Sequence, residues 1–202
     1  MRSEKEKMLS GDLYIANDPE LREDFKKAKE LVREFNHTTE YQLDERQRII
    51  KSLFKKSGKG DYLEPPFYTD YGCNTEVGDN FYANYECIIL DIANVKIGNN
   101  VFFGPRVGLY TAGHPIDAVI RGEAFEYGKP ITIGNDVWVG GNVVINPGVT
   151  IGNNVVIGSG AIVTKDIPDN VIAVGNPCKV LREINDEDKK YWELEKKRYY
   201  EN

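Results

Sequence analysis

Aliphatic residues return in sixes along the second half of the chain. One column runs Ile133, Val139, Ile145, Ile151, Ile157 and Val163, and a second follows four places behind each member: Val137, Val143, Val149, Val155, Ala161 and Ile167. No helix makes this pattern. Between the columns stand Gly134, Asn135, Asp136, Gly140, Gly141, Asn142, Pro147, Gly148, Gly152, Asn153 and Asn154, residues that turn the backbone or tolerate positive φ. Each six is therefore a short strand plus a corner. A fixed period with turn chemistry in every unit predicts a parallel β-helix, an all-β solenoid in which stacked units bury the aliphatic columns as one core.

The same phase runs upstream through Ile97, Val101, Phe103, Val107 and Leu109, and Ile133 lies a whole number of sixes beyond Ile97. Residues 111–130 break it with Gly113, His114, Pro115, charged side chains and Gly128, which predicts a long loop thrown out of one corner and rejoining at Ile131. An earlier block, with Val77, Phe81, Ala83, Cys87 and Ile89, is also six-periodic but two residues out of phase; a small corner insertion near residues 91–94 accounts for the slip.

The first sixty residues follow a different rule. Ser3 and Glu6 form a capping box for a short helix ending near Gly11. Asp18-Pro19 reads as N-cap and first helical residue, followed by the apolar stripe Leu21, Phe25, Ala28, Val32 and Phe35. A third helix, over residues 39–56, carries Leu43, Ile50, Leu53 and Phe54. A terminal coil would expose its aliphatic layer and strand edges, so these helices are expected to cap one end. At the other end residues 171–177 close the last coil, and a C-terminal helix departs over residues 186–200 with Tyr191, Trp192, Tyr199 and Tyr200 suited to packing or a subunit contact. The expected division is a helical cap over residues 1–60, a β-helix over 61–180 with its loop at about 111–130, and a C-terminal helix over 181–202.

Composition narrows the function. A chain of 202 residues with 41% hydrophobic content supplies one solenoid core and a small accessory cap. The net charge of −6, with both signs interspersed, gives no basic face for nucleic acid. The N-terminus has no apolar stretch and no run approaches the roughly 18 residues of a membrane span, so a cytoplasmic protein is expected. Cys73, Cys87 and Cys178 lack C-x-x-C spacing and read as reduced packing thiols.

Two histidines are present. His37 follows the Phe35 end of a helix and reads as a cap. His114 sits between Gly113 and Pro115, where the solenoid ejects its long loop, and long loops on rigid scaffolds carry function. Imidazole accepts a proton near neutral pH, although a structural hydrogen bond is an even match for that role on position alone. Asn84 and Asp91 lie on earlier coils: an amide can donate to a developing oxyanion and a carboxylate can hold a hydroxyl or orient an imidazole, while both types also satisfy corner backbone.

Taken together, the sixes, Thr111-Ala112-Gly113-His114-Pro115, Asn135-Asp136-Val137-Trp138-Val139-Gly140-Gly141, Val163-Thr164-Lys165-Asp166-Ile167-Pro168 and Gly175-Asn176-Pro177 closely resemble the hexapeptide-repeat sugar O-acetyltransferases of the maltose and galactoside type. The resemblance extends into the cap at Glu34-Phe35-Asn36-His37. It implies a left-handed parallel β-helix, a homotrimer with active sites between subunits, acetyl-CoA as donor, a sugar hydroxyl as acceptor and no metal. His114 would be the general base and Asn84 would bind acceptor and oxyanion. Asp70, Tyr82, Asp91 and Asp18 would line the acceptor site. Trp138, Gly141, Ser159, Thr164 and Lys165 would border the CoA arm, with Lys179 and Arg182 near its phosphates. Two positions depart from the galactoside enzymes: Phe25 stands where they carry an arginine, and their acceptor aspartate aligns with Asp18 across a gap. The acceptor therefore stays open among sugars, amines, chloramphenicol-like compounds and oligosaccharides. A zinc enzyme resembling the γ-type carbonic anhydrases lacks its histidines here, and a non-catalytic binding solenoid remains the other class.

Overall fold

In the computed structural model, which describes residues 2–201, the chain winds a β-solenoid of about six turns. Three parallel sheets form the faces of a triangular prism. One face stacks Thr75–Val77, Val95–Ile97, Ile131–Ile133 and Thr150–Ile151. The second stacks Tyr62–Leu63, Tyr82–Ala83, Phe102–Phe103, Trp138–Val139, Val156–Ile157 and Val171–Val174, and is finished by the antiparallel strand Lys179–Glu183. The third stacks Phe67–Thr69, Cys87–Leu90, Gly108–Tyr110, Val144–Ile145 and Ile162–Val163. In-register pairs such as Val95, Ile131 and Val139, Phe103 place the aliphatic columns inside, where they form one continuous core. The expected solenoid with its helical end, projecting loop and C-terminal helix is borne out.

The corners obey the turn chemistry. Asn80, Asn100, Asp136, Asn154 and Asn170 share positive φ at the corner between the first and second faces, and their side chains ladder, Asn80 Nδ2 donating to Asn100 Oδ1 at 2.9 Å and Asn100 Nδ2 to Asp136 Oδ1 at 2.8 Å. Insertions fall at one other corner, between the third and first faces. Two extra residues there, within 90–94, produce the phase slip, and the long loop leaves one coil later from the same corner.

The N-terminal helices are α1 (Glu4–Ser10), α2 (Pro19–Asn36) and α3 (Leu43–Leu53). Ser3 and Glu6 make the reciprocal capping box, and Gly11, at φ 81°, ends α1. Ala28, Val32 and Phe35 of α2 and Ile49, Ile50 and Leu53 of α3 lie on the first coil, where Phe67 meets Phe35 and Phe54 edge-on at 6.5 and 5.8 Å. Burial of the larger of these side chains, Val32, Phe35, Ile49, Ile50 and Leu53, contributes about 1.5–3 kcal/mol each. α3 is shorter than the periodicity predicts: Thr39 N donates to Gln42 Oε1, holding a turn before it, and Phe54 is extended after it. Leu43 is consequently exposed, and Arg46 and Ile49 take the inner face.

Residues 111–130 are more ordered than a plain loop. Ala112–Gly113 and Phe125–Gly128 pair antiparallel, the N-terminal strand Tyr14–Ile15 adds to the outer edge of Phe125–Gly128, and a short helix α4 (Ala118–Gly122) forms the tip. Gly113 lets the Tyr127 ring pack close: a Cβ there would stand 2.7 Å from it, so the ring would have to shift to admit a side chain. The C-terminal helix α5 (Asp186–Glu201) buries no side chain, and its aromatic residues meet in neighbouring pairs, Tyr191 with Trp192 at 5.0 Å and Tyr199 with Tyr200 at 5.3 Å, on an exposed surface. Among the described residues no helix is long and apolar enough to cross a membrane.

Candidate active site

His114 leaves the Ala112–Gly113 strand at the loop corner and is exposed. The residues after it are held from the tip: Arg121 donates to the carbonyls of Pro115 and Ile116, both at 3.0 Å, and Asp117 caps α4 through the amides of Val119 and Ile120. His37, as its sequence position suggests, closes α2, with Nδ1 2.7 Å from the Arg33 carbonyl oxygen.

Beside the loop hairpin lies a cleft of about 510 Å³, walled by Phe25, Tyr71 and Ile92 and carrying Tyr14, Asp70 and Glu126 as polar groups. Asp70 is pushed up by burial, an effect opposed by Lys29 at 3.5 Å. Burial, reinforced by the bond its hydroxyl donates to Glu126 at 2.8 Å, raises the Tyr14 phenol strongly. Phe25 is the one member of the α2 stripe that stays 38% exposed. Its ring meets Tyr71 edge-on at 6.2 Å and carries the Lys29 ammonium at 4.5 Å, so it presents an aromatic wall to the cleft.

A second group assembles on the second face. Tyr82, Asn84, Phe102, Gly104 and Trp138 line a depression of about 430 Å³. Tyr62 stacks on Tyr82 at 6.0 Å, and Phe102 continues the outward ladder to Trp138, which is 57% exposed. Asn84 begins the corner between the second and third faces and lines the depression, and its Oδ1 accepts from the Tyr85 amide at 2.7 Å.

The residues expected at the cofactor follow the far coils. Gly141 and Ser159 occupy successive turns of the corner that begins with Asn84, and Gly140 is so close to Ser159 that a Cβ would stand 2.6 Å from its amide nitrogen. Thr164 and Lys165 are exposed on the loop corner, two coils beyond His114. Lys179 and Arg182 lie on the last strand, where Arg182 grips Asp188 with two bonds of 2.7 Å. That pairing raises the guanidinium and holds Asp188 down at about 2.

Two expected acceptor ligands are placed otherwise. Asp18 caps α2, its Oδ1 accepting from Glu20 N at 2.9 Å and Leu21 N at 3.3 Å, and Asn17 rather than Asp18 reaches the cleft. Asp91 is fully buried and receives Thr69 Oγ1, Tyr71 N, Asn74 N and Thr75 Oγ1, which leaves its carboxylate no face toward a ligand. Burial pushes its carboxyl up, with those bonds opposing. Asp91 ties successive corners together. Conversely, Tyr14 and Glu126 were not singled out by sequence reasoning. Their signal is the short strand pattern Phe125-Glu126-Tyr127-Gly128 inside the loop, whose pairing to Tyr14–Ile15 only the fold reveals. Among the described residues no group of three or more His, Cys, Asp or Glu is placed to hold a metal.

Comparison with known proteins agrees with this architecture. Residues 7–58 match the maltose acetyltransferase hexapeptide capping motif, and residues 130–165 match the bacterial transferase hexapeptide of six repeats. The chain is 48% identical to the galactoside O-acetyltransferase of Escherichia coli K12 over 93% of its length and 92% of that protein's. It superposes on a maltose O-acetyltransferase from Clostridium difficile 630 with a TM-score of 0.90 and 52% identity, covering 91% of this chain and 98% of that one. A galactoside acetyltransferase in complex with coenzyme A gives 0.91 and 47%, with 94% of each chain covered. With the cap and the repeats both matched and the likeness spanning nine-tenths of the chain, this protein belongs to the hexapeptide-repeat O-acetyltransferase family of the maltose and galactoside type and is an acyltransferase.

Proposed function

We propose that this chain transfers the acetyl group of acetyl-CoA to a hydroxyl of a small sugar, in the cytoplasm, as a homotrimer whose active sites are shared between neighbouring subunits. One observation carries the shared site. His114 and the cleft holding Asp70 and Phe25 belong to the loop corner, whereas Tyr82, Asn84 and Trp138 belong to the opposite face and its far corner. The solenoid core separates the two groups within one chain, and a head-to-tail ring brings one subunit's loop corner to its neighbour's aromatic face. A ring of three closes on a prism of this shape, with each interface using one loop corner and one aromatic face.

In the reaction the acceptor hydroxyl oxygen attacks the thioester carbonyl as its proton passes to His114. Asn84 Nδ2 donates to the oxyanion that forms. Collapse of the tetrahedral species breaks the carbon–sulfur bond, and the imidazolium returns the proton to the CoA thiolate. Trp138, the Gly141 and Ser159 corner, Thr164 and Lys165 border the pantetheine arm, and Lys179 and Arg182 offset phosphate charge. The cleft suits a polyhydroxy acceptor: Asp70 accepts from hydroxyls, and Phe25 and Tyr71 offer apolar ring faces.

Free-thiol release from acetyl-CoA, measured with glucose, maltose, galactosides, amino sugars and chloramphenicol, tests the chemistry; release that depends on a sugar supports it, and release with amines alone overturns the acceptor class. Subunit sharing has its own test. His114→Ala and Asn84→Ala proteins, each nearly inactive, regain roughly a quarter of the wild-type rate when denatured together and reassembled, because random mixing restores one intact site in four. No recovery, in mixtures shown to contain hybrid oligomers, would place both residues in one chain's site. Lys165→Ala and Arg182→Ala are expected to raise the KM for acetyl-CoA by about tenfold each, the loss of roughly 1.4 kcal/mol of phosphate attraction, with kcat little changed. Asp188→Asn is expected to leave that KM unchanged or lower it, since it frees the Arg182 guanidinium.

A further inference from the structure

At the loop hairpin His114 falls in line with two side chains, Glu126 of the returning arm and Tyr14 of the N-terminal strand, whose part in the reaction the scheme above leaves open. Ala112 pairs with Gly128 and Gly113 with Tyr127, and continuing that register by one position, just past the end of the strand, sets His114 beside Glu126. On its other side Glu126 pairs with Tyr14 of the N-terminal strand. Residues directly opposed in an antiparallel ladder project to the same face, with Cβ atoms roughly 4.5–5.5 Å apart. Tyr14, Glu126 and His114 therefore form one row, running from a buried phenol through a half-buried carboxylate to an exposed imidazole. The row is anchored at its buried end, where Tyr14 donates to Glu126 Oε2 at 2.8 Å.

We infer that Glu126, fixed by Tyr14, is the positioning residue of His114: its carboxylate accepts the Nδ1 proton, aims Nε2 at the acceptor hydroxyl and stabilises the imidazolium formed when that hydroxyl is deprotonated. This inference rests on His114 being the base. A base oriented by a third group through its other nitrogen is a general solution for imidazole catalysis, and here that group comes from the returning arm of the same loop. The N-terminal strand is then part of the catalytic apparatus, because it holds the carboxylate in place from outside the solenoid. The other charged or titratable groups facing Glu126 are Asp70 and Tyr71 on the first coil corner and Arg22 and Lys26 on α2, all lining the same cleft. Arg121 of the loop tip is bound to the Pro115 and Ile116 carbonyls.

The test compares wild type, Glu126→Gln, Tyr14→Phe and His114→Ala in acetyl transfer to the best acceptor, with the pH profile of kcat/KM and the melting temperature of each. Glu126→Gln is expected to lower kcat by about 10–100-fold, with the KM for acetyl-CoA unchanged, and to move the acid limb of the profile to lower pH, because the imidazolium loses its anionic partner. Tyr14→Phe retains the carboxylate, so the acid limb stays in place and kcat falls only a few-fold. If Glu126→Gln instead raises the acceptor KM and leaves the acid limb unmoved, Glu126 is an acceptor ligand and the inference is overturned. If Glu126→Gln melts well below wild type, the profile of the folded Tyr14→Phe variant decides: a kcat equal to wild type also overturns it. Failure of the base assignment itself would show separately, as a His114→Ala protein that keeps full activity.

Discussion

His114→Ala lowers kcat by about 10²–10⁴-fold, the range for losing general-base assistance, and leaves the acetyl-CoA KM within about twofold of wild type. The expectation follows from where the side chain stands. It is the one imidazole of the chain outside the helical cap, placed at the root of the projecting hairpin, and its backbone is fixed on both sides, by the Ala112–Gly113 pairing before it and by Arg121 after it. Removing the ring disturbs no core contact, since His114 is exposed, so the melting temperature should stay within about 2 °C of wild type, as for surface substitutions generally. Acetyl-CoA binding is assigned to coils beyond the loop and should survive. Steady-state thiol release with calorimetric CoA titration separates the two effects. A variant that keeps wild-type kcat removes His114 from the chemistry; one that loses CoA binding in step with kcat makes it a cofactor contact instead.

What the sequence made legible was whatever depends on period and turn chemistry. The columns from Ile133 to Ile167, the corner asparagines, the α1 capping box and the Asp18-Pro19 start of α2 are local rules, and each is met at its own position. The two-residue slip at residues 91–94 was readable because an integer period makes any insertion visible. The site was legible in part, as individual residues, and their grouping was not. Asp91 looked like a ligand because a carboxylate on an early coil was near the loop; only the stacking shows Thr69, Tyr71, Asn74 and Thr75 converging on it from the coil below. Asp18 satisfied two readings, and the backbone took it as a cap. Glu126 was hidden for a different reason: it acquires its neighbours through an antiparallel hairpin to which residues 14 and 15 add a strand, a pairing separated by more than a hundred positions in sequence. Long-range strand addition leaves no periodic trace.

Asp91→Ala should be the most destabilising single polar substitution on the loop corner, lowering stability by about 3–5 kcal/mol. The carboxylate accepts four donors, the hydroxyls of Thr69 and Thr75 and the amides of Tyr71 and Asn74, at 2.8 to 3.3 Å. The Asn74 side chain in turn donates to the Asp91 carbonyl at 2.8 Å. All of Thr69, Asn74, Thr75 and Asp91 are buried, so truncation strands donors where water does not reach them. Each unsatisfied group costs about 1–3 kcal/mol, and partial relaxation of the corner recovers some of the sum. For a chain of this length 1 kcal/mol corresponds to roughly 2–4 °C, which sets the expected fall in melting temperature at about 10 °C. Asn is no rescue, because its amide replaces one acceptor oxygen by a donor among donors. Activity carries the second half of the prediction. The corner that Asp91 ties lies directly beneath the coil that ejects the loop, joined to it by Ala93 N donating to Thr111 Oγ1 at 2.9 Å and Thr111 Oγ1 donating to the Leu90 carbonyl at 2.6 Å. A variant assayed well below its lowered melting temperature should therefore lose stability first and turnover only modestly, with no change in acceptor KM. A large rise in acceptor KM at unchanged stability would restore Asp91 as a ligand.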